Sequence, residues 1–160
     1  MRMTRSVISA LWFAFFMAII IYHVLIYMLR PQIEQTASPI PAFIGLGLLF
    51  VGMFCLLVVI NMDIFMLGRP HTIRVSAGQL PQGTAEKSEQ EILAAAKATW
   101  FQMRFIVLCA IAETPGVLAL VLAILGGDML MVSVLMGLAY FGILYAGIRL
   151  QTSWAKMYLE

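Results

Sequence analysis

Four stretches of apolar residues, each long enough to cross a membrane as a helix, constrain this chain more than any other feature of its sequence. A hydrocarbon core about 30 Å thick requires about 20 consecutive apolar residues in a helix. Isolated open strands cannot satisfy their backbone groups in lipid, so each stretch is expected to be helical. The sequence therefore predicts an all-α polytopic membrane protein with four spans, at about 7–28, 41–66, 105–125 and 129–148.

The composition supports a membrane protein and excludes an ordinary soluble one. Hydrophobic residues make up 62% of the 160 residues and charged residues only 11%, and the mean hydropathy is +0.97. Soluble domains carry about 25% charged residues. The net charge of +2 comes without a basic cluster interleaved with aromatic residues, so we do not expect nucleic acid as a partner. We expect residues 1–160 to form a single membrane domain.

The positions of the basic residues predict the orientation. Nine of the 10 Lys and Arg residues lie at the two ends of the chain or between spans two and three, and only Arg30 lies elsewhere. By the positive-inside rule, both termini and segment 67–104 are expected in the cytoplasm, with the protein in a bacterial inner membrane. The first apolar run is longer than the core of a signal peptide, so we expect it to remain as an anchor.

The connections between spans predict two antiparallel hairpins. The short link GGD at 126–128 joins spans three and four, and a polar link rich in Pro, Ser and Thr joins spans one and two. In segment 67–104, the motif SEQE at 88–91 has the pattern of a capping box, a hydroxyl followed three residues later by a carboxylate. A helix is therefore expected to begin near residue 89 and to continue into span three.

Glu113 is the most unusual residue in the apolar spans. It lies nine residues after Arg104, which is about 13 Å along a helix and hence close to the middle of the membrane. A charged carboxylate there costs about 3 kcal/mol or more, so the side chain is expected to face protein or water. Glu113 is thus a candidate proton or cation site, and hydrogen bonding across a helix interface for packing specificity is the equally weighted alternative.

Pro115 follows Glu113 within the same span. A proline in a helix interior removes one backbone hydrogen bond and bends the helix. We therefore predict a kink at Pro115 and a carbonyl group at Ile111 without its usual donor. That carbonyl, close to the Glu113 carboxyl group, is a second candidate ligand for an ion.

Matching residues by depth suggests a partner for Glu113. Tyr140 lies nine residues before Arg149 on the predicted antiparallel span four, which places it at the depth of Glu113. Its hydroxyl group is the first choice for a hydrogen bond to that carboxyl group. His23 and the adjacent Tyr22 lie nearer the outer end of span one, and we interpret them as an interfacial packing pair.

Small residues in spans two and four predict close helix contacts. Span four carries two small-xxx-small patterns, which let helix backbones approach each other in membranes. Such patterns support packing or self-association without distinguishing between them. The candidate packing residues are Gly45, Gly47, Gly52, Ser133, Gly137, Gly142 and Ala146.

The sequence contains no catalytic motif. We find no nucleophile-elbow serine, no HExxH, no phosphate-binding loop and no dinucleotide-binding glycine pattern. The two cysteines, Cys55 and Cys109, lie in apolar runs at a spacing that fits no metal or redox site. We therefore expect no enzyme activity, cofactor or metal.

Residues 42–127 resemble the hairpin of the proteolipid (c) subunit of rotary ATP synthases. The segments GLGLLFVG at 45–52, GRP at 68–70 and FIVLCAIAETPGVLALVLAILGG at 105–127 stand in corresponding order. The resemblance implies that Glu113 is an ion-binding carboxylate and that Arg69 and Pro70 are loop residues facing a rotor stalk. The chain departs from the family in its longer loop, its sparser glycines and its two additional spans.

Together these features predict a small integral membrane protein that acts as an oligomerising or accessory subunit of a larger membrane assembly. Its partners are expected to be the lipid bilayer and copies of itself or other membrane subunits. Arg69, Pro70 and Arg74 are candidate docking residues on the cytoplasmic side. The alternative is a proteolipid-like subunit that translocates a proton or cation through Glu113.

Overall fold

The computed structural model describes residues 5–36, 40–66 and 89–159. These residues form four helices: α1 (Arg5–Thr36), α2 (Ala42–Met66), α3 (Glu89–Ile124) and α4 (Met129–Leu159). No strand occurs in the described residues. Segment 67–88, with the predicted docking residues Arg69, Pro70 and Arg74, lies outside them.

Each helix contains a stretch that is long and apolar enough to cross a membrane. These stretches are Ser6–Gln32, Ala42–Asn61, Phe101–Ile124 and Met129–Arg149. The chain is therefore a membrane protein with four candidate transmembrane helices. Helices α3 and α4 also continue beyond their stretches, by 89–100 and 150–159 respectively.

Helix α1 is longer than its predicted span of about 7–28. It continues without a break through Pro31 to Thr36, so its apolar stretch is centred near Ile19 and not closer to the N-terminus. Tyr22 and His23 therefore lie nearer the middle of the stretch Ser6–Gln32 than its C-terminal end, which matters for the site.

A compact turn between α3 and α4 follows from the GGD sequence. Gly126 adopts a left-handed conformation with φ of 77°, which glycine reaches without the steric cost that a Cβ imposes. The Gly127 and Gly126 amides donate to the carbonyls of Leu122 and Ala123 at 2.9 and 3.0 Å, the hydrogen-bond pattern of a Schellman motif. Asp128 then caps α4, since its Oδ1 accepts from the Leu130 amide at 2.9 Å.

Helices α3 and α4 form the centre of the molecule, and α1 and α2 lie against them at separate places. Each flanking helix packs against both central helices, and α1 and α2 make no contact with each other in the described residues. Small residues bring the central pair together: a Cβ at Gly142 would lie 3.3 Å from the Ala112 Cβ, and one at Gly116 would lie 3.4 Å from the Ala139 Cβ. Most of the fully buried side chains belong to α3 and α4.

Candidate functional site

Glu113 bridges two helices in the middle of the membrane-spanning region. It is half-buried on α3 and lies near the centre of the stretch Phe101–Ile124. Its Oε1 accepts a hydrogen bond of 2.5 Å from the hydroxyl group of Tyr22 on α1. The carboxyl group therefore faces protein on at least one side, as the cost of burying it in lipid requires.

The hydrogen-bond partner of Glu113 is Tyr22. The partner predicted from depth, Tyr140, is wrong. Depth alone could not identify the partner, because two residues at one depth meet only if their helix faces also point towards each other. Tyr140 is at the expected level, but its ring faces α1, where it lies 6.2 Å from the ring of Phe16 and 6.1 Å from that of His23, between centroids.

Gly116 makes room for Tyr22 one turn beyond Glu113. A Cβ at Gly116 would lie 3.4 Å from Cδ2 of Tyr22 and 3.8 Å from Cγ1 of Ile19. The absent side chain lets α1 approach α3 closely enough for the Tyr22 hydroxyl group to reach the carboxyl group. The one signal for this contact in the sequence is a glycine three positions after Glu113, which was not among the predicted packing residues.

Pro115 lies in an uninterrupted helix. Helix α3 runs from Glu89 to Ile124, and Pro115 is fully buried, with its Cβ 3.6 Å from the position of a Cβ at Gly52 of α2. Because proline has no backbone N–H, it cannot donate to the carbonyl of Ile111, which is half-buried. The predicted kink at Pro115 and the predicted ligand role of Ile111 stay predictions.

The adjacent Thr114 is satisfied within its own helix. Its Oγ1 donates to the carbonyl of Ala110 at 3.0 Å, a common arrangement for threonine in helices. The Thr114 hydroxyl group is thus engaged by the preceding turn of α3.

Within the described residues, no group of three or more His, Cys, Asp or Glu side chains could hold a metal ion.

A tryptophan anchors α1 to α4 nearer the start of α1. Nε1 of Trp12 donates to the carbonyl of Ile143 at 2.8 Å, and the indole ring stacks on Phe16. A Cβ at Gly147 would lie only 2.5 Å from Nε1 of Trp12, so glycine is required there for the indole to reach α4. Neither Gly147 nor Trp12 was predicted to have a role in packing.

The predicted packing residues divide into two groups. Side chains of α4 pack directly against Gly45 and Gly52. A Cβ at these positions would lie 2.6 Å from Sδ of Met131 and 2.5 Å from Cδ2 of Leu135, respectively. Gly142 lies against Ala112, and Ala146 is buried. The remaining three, Gly47, Ser133 and Gly137, are exposed on the outer surface.

Gly137 and Ser133 share an outward face of α4. Nothing lies within 4 Å of a Cβ at Gly137, and the hydroxyl group of Ser133 donates to the carbonyl of Met129 in its own helix at 2.8 Å. Among the described side chains of α4, the exposed large apolar ones are Leu130, Val134, Phe141, Leu144 and Ile148. Gly137 therefore forms a notch among these exposed side chains.

Comparison with known proteins identifies no relative. No protein family, no curated protein and no solved structure matches the chain.

Proposed function

We propose that this protein is a small integral membrane subunit that self-associates, and that it serves as an oligomerising or accessory component of a larger membrane assembly. The observation that carries the proposal is the outward notch at Gly137, one turn from Ser133 on α4. Small residues four apart let a second helix approach closely in a membrane. Within the protomer, no described helix uses this notch.

In the proposed arrangement the protein spans a bacterial inner membrane with both termini in the cytoplasm, and α3 and α4 form an antiparallel hairpin. The short turn at 125–128 supports the hairpin, as do the contacts of Gly142 with Ala112 and of Gly116 with Ala139, in which later residues of α4 meet earlier residues of α3. The basic residues support the orientation. A cysteine introduced at Ser153 should react with an impermeant thiol reagent only from the cytoplasmic side. Reaction from the opposite side would contradict the proposed orientation.

Self-association is tested by replacing the notch residue. Gly137→Leu should raise the dissociation constant of the self-associated form about fivefold or more, since overpacking a close contact costs about 1–3 kcal/mol. The measurement is energy transfer between differently labelled copies in lipid vesicles, at several protein-to-lipid ratios.

Gly47→Leu is the matched control for this experiment. A Cβ at Gly47 would also have nothing within 4 Å, but Gly47 lies on α2, so the same substitution there should leave the dissociation constant unchanged. A monomeric wild-type protein at every ratio, or equal effects of the two variants, would contradict self-association through α4.

The second candidate function is proton or cation translocation through Glu113. The observation that favours it is the position of a half-buried carboxyl group in mid-span, with Oε1 engaged by Tyr22 and no further hydrogen bond to the carboxyl group from a described residue. Glu113→Gln keeps the size and an acceptor oxygen but removes the exchangeable carboxyl proton. If Glu113 carries an ion, this variant should abolish flux into vesicles while leaving self-association intact; loss of association without any flux in the wild type would assign Glu113 to packing.

A further inference from the structure

Two polar side chains on the outer surface lack hydrogen-bond partners in the middle of the membrane-spanning region. His23 of α1 is exposed, and the half-buried Tyr140 of α4 lies beside it, with 6.1 Å between the ring centroids. Within the described residues, neither the imidazole nor the phenol hydroxyl group forms a hydrogen bond. His23 and Tyr140 both lie near the centres of their apolar stretches, Ser6–Gln32 and Met129–Arg149.

This position is unfavourable if the surface faces lipid. Hydrocarbon offers no donor or acceptor, so each unpaired polar group there costs several kcal/mol. The rings of His23 and Tyr140 already contact each other within the protomer, and Tyr140 also packs on Phe16. The two groups therefore require polar partners from outside the described helices.

The same two residues adjoin the notch on α4. Tyr140 follows Ser133 by seven residues, which places the two within about 20° of each other around the helix. The surface formed by Ser133, Gly137 and Tyr140 thus continues onto α1 at His23. A second copy seated at Gly137 would cover these polar groups as well.

The hydrogen-bonding capacities of the two side chains are complementary. A neutral imidazole has one donor and one acceptor, and a phenol hydroxyl group can both donate and accept. In a dimer with a twofold axis, every contact occurs twice with the roles of the protomers exchanged. Across such an axis, His23 of each protomer can therefore form a hydrogen bond with Tyr140 of the other protomer.

We propose that the partner on this surface is a second copy of this chain, and that Tyr140 of each protomer donates a hydrogen bond to His23 of the other. The proposal rests on the self-association inferred above and names its polar contact. It accounts for the two unpaired groups at the membrane centre with no ligand other than the chain itself.

The test is a double-mutant cycle on the dissociation constant in lipid vesicles. Tyr140→Phe keeps the ring and its contact with Phe16, and His23→Leu removes the imidazole. Interhelical hydrogen bonds in membranes contribute about 0.6 kcal/mol each, so the loss of two per dimer should raise the dissociation constant about eightfold in either variant. Because both variants remove the same bonds, the double variant should be no weaker than either single one.

Two further variants complete the experiment. Tyr27→Phe removes an exposed hydroxyl group one turn from His23 and should leave the dissociation constant unchanged, whereas His23→Gln, which keeps an acceptor, should restore much of the loss seen in His23→Leu. Unchanged association in Tyr140→Phe and His23→Leu, or effects that multiply in the double variant, would overturn the reciprocal contact. The contact would also be overturned if the effects of Tyr140→Phe and His23→Leu were coupled only in the unfolding free energy of the monomer, because the hydrogen bond would then lie within one protomer.

The outcomes also separate this contact from self-association itself. If the wild-type protein is monomeric, or if Gly137→Leu has no effect, the proposed function fails and the contact fails with it. If Gly137→Leu weakens association while the His23 and Tyr140 variants do not, only the reciprocal contact is wrong.

Discussion

At the scale of single residues, the contact between Tyr22 and Glu113 shows how a membrane helix accommodates a carboxyl group. The donor comes from α1 and the acceptor from α3, and Gly116 supplies the space between them. The depth of Glu113 was predictable from its distance to Arg104, since helix rise is constant. The identity of its partner was not, because depth says nothing about the direction in which a side chain points.

The Tyr22 hydroxyl group should contribute measurably to stability. Tyr22→Phe keeps the ring on Gly116 but leaves Glu113 without its donor, so we expect the free energy of unfolding to fall by about 1 kcal/mol. The measurement is reversible unfolding in mixed micelles, followed by helix content. Tyr27→Phe is the control, since Tyr27 is a strongly exposed tyrosine, at 74%, on the same helix; equal losses in the two variants would mean that the hydrogen bond to Glu113 adds nothing.

At the scale of helices, glycine positions decide how α2 meets the central pair. Residues 42–60 of α2 are apolar on all sides, with Phe50 on the outer surface at 76% exposure, so hydropathy does not reveal which face is buried. Gly45 and Gly52 lie on the packed side, seven residues apart, and Gly47 lies on the outer side. Seven residues are close to two helical turns, which brings the first two glycines onto one face.

Substitution of these glycines should therefore have unequal effects. Gly52→Leu would force a side chain into Leu135, Pro115 and Leu138, and we expect the free energy of unfolding to fall by about 2 kcal/mol, as is typical of overpacking. Gly47→Leu meets open space and gains helix propensity, so it should be neutral or slightly stabilising in the same unfolding assay. The reverse order would show that α2 presents its other face to α3 and α4.

At the scale of the whole molecule, the central position of α3 and α4 explains why they hold most of the buried residues. Each of them packs against every other helix, whereas α1 and α2 do not touch each other in the described residues. Spans one and two were predicted to form a hairpin, yet α1 and α2 do not pack directly on each other in the described residues. Sequence neighbours in a bundle can lie apart because each helix packs where its surface fits best.

The sequence by itself determined the helical architecture, the number of apolar helices, the turn at Gly126 and the mid-span depth of Glu113. These properties follow from transfer into lipid, from backbone hydrogen bonding and from helix rise, and each can be evaluated along one chain segment at a time. The tertiary structure decided that Tyr22 pairs with Glu113, that Gly45 and Gly52 pack while Gly47 and Gly137 face outwards, and that α1 and α2 lie apart. These properties depend on the rotation of each helix about its axis, which is set jointly by the side chains of two helices in contact.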